Sequence, residues 1–117
     1  MFTVTKRMEV AGAHCLNLPY DSKCKKLHGH NWRIEVEVQS SCLNDEGMVI
    51  DFTKIKEVVG QLDHAYLNDI PGIGQPTAEH IAQWIAEKID ALPDMGYARV
   101  SKVTVQESEG NIACYIP

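Results

Sequence analysis

Apolar and polar residues alternate from Phe2 to Val10. Phe2, Val4, Met8 and Val10 fall on one side, and Thr3, Thr5, Arg7 and Glu9 on the other, with Lys6 the one break. A two-residue period is that of a strand with one buried face. A cleaner copy follows, where Trp32, Ile34, Val36 and Val38 alternate with Arg33, Glu35, Glu37 and Gln39. Between the two strands, residues 17–27 carry Pro19, Asp21, Ser22 and three lysines, which predicts a loop. Residues 40–47 turn the chain, and Met48-Val49-Ile50 reads as a short return segment.

The period then changes. Asp51 is a good N-cap, and Ile55, Val58, Val59 and Leu62 repeat at the spacing of one helical face. Residues 68–76 are rich in Gly and Pro and predict a loop. A second helix starts near Thr77, with Glu79 favourably placed in its first turn. Its buried stripe is Ile81, Trp84, Ile85, Ile89 and Leu92, and Pro93 ends it. Val100–Glu107 and Ile112–Ile116 read as a closing hairpin around residues 108–111. The order ββααββ predicts an α+β fold, a four-stranded antiparallel sheet with two helices on one face. The other face is then either wet or covered by further subunits.

Composition narrows the classes. A length of 117 residues fits one domain spanning 1–117. Eleven basic residues against sixteen acidic give a net charge of −5, which argues against a nucleic-acid binder. No apolar run approaches the ~20 residues of a membrane helix. The N-terminus lacks the features of a signal peptide, so a cytoplasmic protein is expected. In that compartment Cys15, Cys24, Cys42 and Cys114 are expected as thiols rather than disulfides.

The histidines carry the first chemical signal. His28-Gly29-His30 places two imidazoles on the same side of an extended segment. His14 ends the first strand, near the start of the second if the two pair. Three neutral imidazoles with one open position are the ligand set of catalytic zinc sites. Histidines that merely satisfy polar groups at a strand end are the plainer alternative. Strict alternation aims His14 at the core, and Ala11-Gly12-Ala13 could hold a bulge that re-aims it. Cys24 stands four residues before His28. It could be a fourth zinc ligand, or a thiolate base activated by the metal and by Lys23, Lys25 and Lys26. The other cysteines read as packing residues or inert thiols.

Two further positions stand out. Asp63-His64 could be an acid–base dyad, but on the residues alone a His capping the C-terminus of the first helix is the preferred reading. Glu107 shares a face with Val103 and Val105 on regular alternation. A carboxylate there needs a partner, and a heterocycle with two adjacent N–H donors would suit it. An exposed strand end is the simpler explanation.

Taken together, these motifs resemble the 6-pyruvoyl-tetrahydropterin synthase family of the tunnelling fold (T-fold). The anchors run in the family's order: Ala13-His14, Cys24-x-x-x-His28-Gly29-His30-Asn31, residues 47–52, Leu62-Asp63-His64-x-x-Leu67-Asn68, Pro76-Thr77-Ala78-Glu79 and Glu107. The resemblance spans essentially the whole chain. It implies zinc held by His14, His28 and His30, with Cys24 as catalytic base. It implies Asp63 and His64 as a second acid–base unit from a neighbouring subunit, which displaces the capping reading. It assigns Glu107 to the pterin ring, with Thr77 assisting. It also implies a homo-oligomer, usually a hexamer of two stacked trimers, with active sites between subunits.

The three-residue spacer between Cys24 and His28 resembles the 6-carboxy-tetrahydropterin synthase branch, which serves queuosine biosynthesis. The implied reaction converts 7,8-dihydroneopterin triphosphate to 6-carboxy-5,6,7,8-tetrahydropterin, releasing acetaldehyde and triphosphate. The alternatives are a pyruvoyl-type synthase that stops after triphosphate loss, and a non-catalytic zinc-stabilised binding module. Residues 10–13 and His80 depart from the family's commoner residues.

Overall fold

The computed structural model describes residues 1–117. Strand β1 (Phe2–His14) pairs antiparallel with β2 (His28–Ser40) along its whole length, from Phe2 opposite Ser40 to His14 opposite His28. Helix α1 (Phe52–Gly60) follows, then a two-residue strand β3 (Ala65–Tyr66), helix α2 (Ala78–Asp90), and the hairpin β4 (Arg99–Ser108) and β5 (Asn111–Tyr115). The sheet order is β3-β1-β2-β4-β5. It therefore has five strands rather than the expected four. The addition is β3, which runs parallel to β1 and pairs only Gly12 with Ala65 and Ala13 with Tyr66. Two residues are too few to leave a periodic trace.

Both helices begin where their capping residues predict. The Asp51 carboxylate accepts the Thr53 N–H at 2.9 Å, and the Thr77 hydroxyl oxygen accepts the His80 N–H at 3.2 Å. Each removes one unpaired donor from a first turn. Met48-Val49-Ile50 forms no strand; Val49 and Ile50 are instead buried as a loop.

The core gathers 24 buried apolar residues, including Trp32, Ile34, Val36 and Val38 from β2 and Ile81, Ile85 and Ile89 from α2. Each large side chain so buried contributes ~1.5–3 kcal/mol relative to exposure. Trp84 is also buried, and its indole N–H donates to the Pro71 carbonyl at 3.0 Å, so the ring hides no orphaned donor. The molecule is elongated, 52 × 24 × 21 Å. Within this chain, the outer edge of β1 before Gly12 and the outer edge of β5 have no partner strand. No helix is long and apolar enough to cross a membrane.

Candidate metal centre

The site grows out of the register of one hairpin. Val10 faces Trp32, Gly12 faces His30, and His14 faces His28. These are all even positions, so one face of the sheet carries the apolar core and then, at its end, the imidazoles. The register through Ala11-Gly12-Ala13 is unbroken, so that bulge is absent. None is needed: His14 points to the core side because the histidine cluster lies there. Its side chain is only 1% exposed.

The three rings meet edge-on. Centroids lie 4.5 Å apart for His14–His28, 4.9 Å for His28–His30 and 5.2 Å for His14–His30. Trp32 closes the site from below, 5.0 Å from the His14 ring and 5.2 Å from His30. Its indole N–H donates to the Gly12 carbonyl at 3.1 Å, which ties the aromatic floor to β1.

Backbone carbonyls set two of the tautomers. His14 Nδ1 lies 2.8 Å from the Pro76 carbonyl oxygen, and His28 Nδ1 lies 2.6 Å from that of Lys26. A carbonyl oxygen can only accept, so each Nδ1 carries the proton. Each Nε2 is thereby left as a lone pair, the form a metal requires. Sequence motifs show neither partner, because any residue can supply a carbonyl.

Glu107 comes from the far end of the chain and completes the group. Donor atoms of His14, His28, His30 and Glu107 all lie within 4.8 Å of one another. The Glu107 carboxylate is 3.3 Å from His14 Nε2 and 3.1 Å from His30 Nε2. Even so, neither Nε2 has a hydrogen-bond partner of acceptable geometry, although both are buried. Buried nitrogens without partners are rare in folded proteins. Three neutral imidazoles and a carboxylate are a donor set that zinc accepts, so the residues present fit the metal. Burial lowers the pKa of His30 most, opposed by the nearby Glu107 charge and reinforced by His14 and His28. The result favours neutral imidazole, again the ligating form.

Cys24 stands outside this group. It sits half-buried in the 3-10 turn Lys23–Lys25, where its N–H donates to the Ser22 hydroxyl at 3.1 Å. The fold brings Glu107, not Cys24, to the three imidazoles.

Asp63 and His64 do touch each other, with Asp63 Oδ2 3.1 Å from His64 Nδ1. His64 does not cap α1. That helix ends at Gly60, whose carbonyl accepts the Asp63 N–H at 3.1 Å. Both residues are pinned to β1. The Ala11 N–H donates to Asp63 Oδ1 at 2.9 Å, and the His64 N–H donates to the Ala11 carbonyl at 2.6 Å. The Ala11 N–H is the main reason the Asp63 carboxyl lies below the usual range, with His64 adding to it. His64 has φ 56°, an uncommon left-handed conformation outside glycine, and its ring is exposed. It borders an open depression of about 510 Å³ shared with His30 and Tyr66.

Thr77 uses one of its two oxygen lone pairs on the helix cap and keeps its O–H proton. Beside it, Ala78, Glu79, Glu107, Ile112 and Cys114 line a cavity of about 430 Å³ between the start of α2 and the β4–β5 hairpin. One side of Glu107 thus faces the imidazoles and the other faces a cavity.

Comparison with known proteins gives the family. The 6-pyruvoyl tetrahydropterin synthase profile matches residues 3–117. A 6-carboxy-5,6,7,8-tetrahydropterin synthase from Synechocystis sp. is 37% identical over 98% of this chain and 93% of its own length. A dihydroneopterin monophosphate aldolase from Pyrococcus furiosus is 38% identical over 71% of this chain and 70% of its own. Among solved structures, the 6-pyruvoyl tetrahydropterin synthase of Caenorhabditis elegans superposes with a TM-score of 0.78 at 26% identity, covering 99% of this chain and 95% of that one. The chain belongs to the 6-pyruvoyl tetrahydropterin synthase family, and is a lyase of the tunnelling fold.

Proposed function

We propose that the chain is a zinc-dependent lyase that converts 7,8-dihydroneopterin triphosphate and water to 6-carboxy-5,6,7,8-tetrahydropterin, acetaldehyde and triphosphate, in the cytoplasm and in service of queuosine biosynthesis. The observation that carries this reading is the pair of buried, partnerless Nε2 atoms of His14 and His30 beside the correctly protonated His28. The Synechocystis relative, similar along nearly its full length, supports the choice of product.

His14, His28 and His30 would hold the zinc, which when bound supplies Lewis-acid polarisation of the substrate's side-chain hydroxyls. Cys24 would take the carbon-bound proton beside those hydroxyls. His64, oriented by Asp63, moves protons on the opposite side. Glu107 accepts two N–H bonds from the pterin ring, turned toward the cavity it already borders, and Thr77 can donate its hydroxyl proton there. A homo-oligomer, a hexamer of two trimers, brings the Asp63–His64 pair of one subunit to the imidazoles of another. The exposed position of that pair and the unpartnered strand edges favour this assembly.

The similar Pyrococcus furiosus aldolase favours a second reading, carbon–carbon cleavage of a dihydroneopterin phosphate without ring reduction. Product analysis separates the two. Zinc-loaded protein given dihydroneopterin triphosphate should yield acetaldehyde and 6-carboxy-tetrahydropterin. The Cys24→Ala variant should keep its zinc and lose turnover. Phosphorylated glycolaldehyde with 6-hydroxymethyl-7,8-dihydropterin would install the aldolase reading, and a pyruvoyl product the shorter synthase reaction. Loss of zinc with Cys24 would make the site a structural one.

A further inference from the structure

The segment that leaves His14 and leads to Cys24 has no strand beside it, yet its backbone is paired. Two side-chain amides do the pairing. Asn68 accepts the Cys15 N–H at 3.0 Å and donates to the Cys15 carbonyl at 2.8 Å. Gln75 accepts the Asn17 N–H at 2.8 Å and donates to the Asn17 carbonyl at 3.1 Å. Each amide thus binds both polar groups of one residue, and the two residues are spaced as in a strand ladder. The Leu16 N–H between them donates to the Cys24 carbonyl at 2.9 Å, so the tethered segment grips the residue proposed as base. Gln75 is itself fixed, because its carbonyl accepts from the Thr77 N–H at 2.8 Å and pairs with His80 Nδ1 at 2.7 Å.

We infer that Asn68 and Gln75 are positioning residues that hold Cys24 in place for proton abstraction through Cys15, Leu16 and Asn17. His80 works one step further back, by orienting the Gln75 backbone. This inference rests on the reading of Cys24 as the base. The physical warrant is that the loop of residues 15–27 has little else to define it. Tyr20 and Leu27 are exposed, and the 3-10 turn buries nothing. A loop without buried side chains takes its conformation from its hydrogen bonds. Misplacing a catalytic group by about 1 Å costs up to ~100-fold in rate.

The test compares Gln75→Leu and Asn68→Leu with the wild type and with Cys24→Ala. Iodoacetamide labelling, read by mass spectrometry, needs no turnover. Cys24 should label at least about 3-fold faster in both leucine variants, while Cys42, far along the chain and exposed, labels at an unchanged rate. With dihydroneopterin triphosphate, kcat should fall ~10- to 100-fold with KM little changed and zinc content intact. In a Cys24→Ala background the same substitutions should cost nothing further, since their effect passes through the missing thiol. Gln75→Glu, which keeps the acceptor for the Asn17 N–H, should retain more activity than Gln75→Leu. Unchanged Cys24 labelling overturns the tether. Faster labelling with full turnover, zinc loss, or an additive cost in the Cys24→Ala background overturns the positioning role. If Cys24→Ala itself turns over normally, the underlying reading of Cys24 falls, and that result is distinct from all of these.

Discussion

Gly12→Ala probes the joint between the core and the metal centre. Gly12 sits in β1 opposite His30, under the indole of Trp32. A Cβ there would lie 3.3 Å from Leu67 Cδ1, 3.3 Å from Trp32 Nε1 and 3.4 Å from the Leu62 carbonyl oxygen. Two opposing effects set the outcome. Replacing Gly by Ala in ordinary strand conformation restricts the unfolded chain and gains about 0.4–1 kcal/mol. Overpacking a tight core costs about 1–3 kcal/mol. Leu67 can yield by a rotamer adjustment, but the Leu62 oxygen is backbone. Trp32 is held by its own bond to the Gly12 carbonyl and by the two imidazoles at its edges. The cost should therefore win by about 1–2 kcal/mol. With unfolding entropy near 2.1 cal/mol/K per residue, that lowers Tm by ~4–8 °C for a chain of this size. Thermal denaturation at one protein concentration, with chelator and then with saturating zinc, measures it. Because the displaced indole abuts His14 and His30, zinc should also raise Tm less in the variant than in the wild type. A Gly12→Ala protein as stable as the wild type would refute the reasoning.

Three further outcomes are expected. His28→Ala removes a proposed ligand whose tautomer is already set, and should weaken zinc binding by more than ~100-fold, read by metal titration against a chromogenic chelator. Thr77→Ala should cost about 1 kcal/mol through loss of the helix cap, while Thr77→Ser restores stability; a Tm series checks both. The folded-state pKa of Asp63 is depressed by the Ala11 N–H, so its contribution is present above the unfolded carboxylate value and is lost as pH falls through the folded one. Asp63→Asn should therefore flatten the acid limb of a denaturant-midpoint profile below about pH 4 and leave its neutral limb parallel to wild type.

Patterns with a short period were the ones the sequence could show. The alternation over Phe2–Val10 and Trp32–Gln39 predicts both long strands, and it also places His14 on the core side. A bulge is needed only where a core-facing imidazole is out of place. Once the metal group is seen to continue the core face, the plain alternation suffices. Asp51 and Thr77 announce both helices, since caps are local chemistry. What stayed hidden was nonlocal. Cys24 lies near His28 in sequence and so competes for a ligand role, whereas Glu107 reaches the imidazoles only through the β2–β4 pairing. The carbonyls of Lys26 and Pro76, which set the tautomers, have no side-chain signature at all. Asp63 and His64 adjoin the end of α1, which suggests a cap; their bonds to Ala11 depend on where β1 passes.

The unbroken β1–β2 register has a consequence for how the chain finds its fold. A slip of one residue would turn every apolar side chain to the wrong face and is excluded by the core. A slip of two would not: parity is kept, and Val, Ile and Trp positions would still point inward. Hydrophobicity alone therefore distinguishes poorly between the native pairing and its nearest competitors. The three imidazoles do distinguish them, because only the native register sets His14 directly opposite His28 with His30 beside both. A metal held by the three imidazoles would add its free energy to the register that fits it. All three imidazoles lie within residues 14–30, so this selection can act on the first hairpin while the strand bearing Glu107 is still unformed. A metal bound there would select strand pairing before it served as a cofactor.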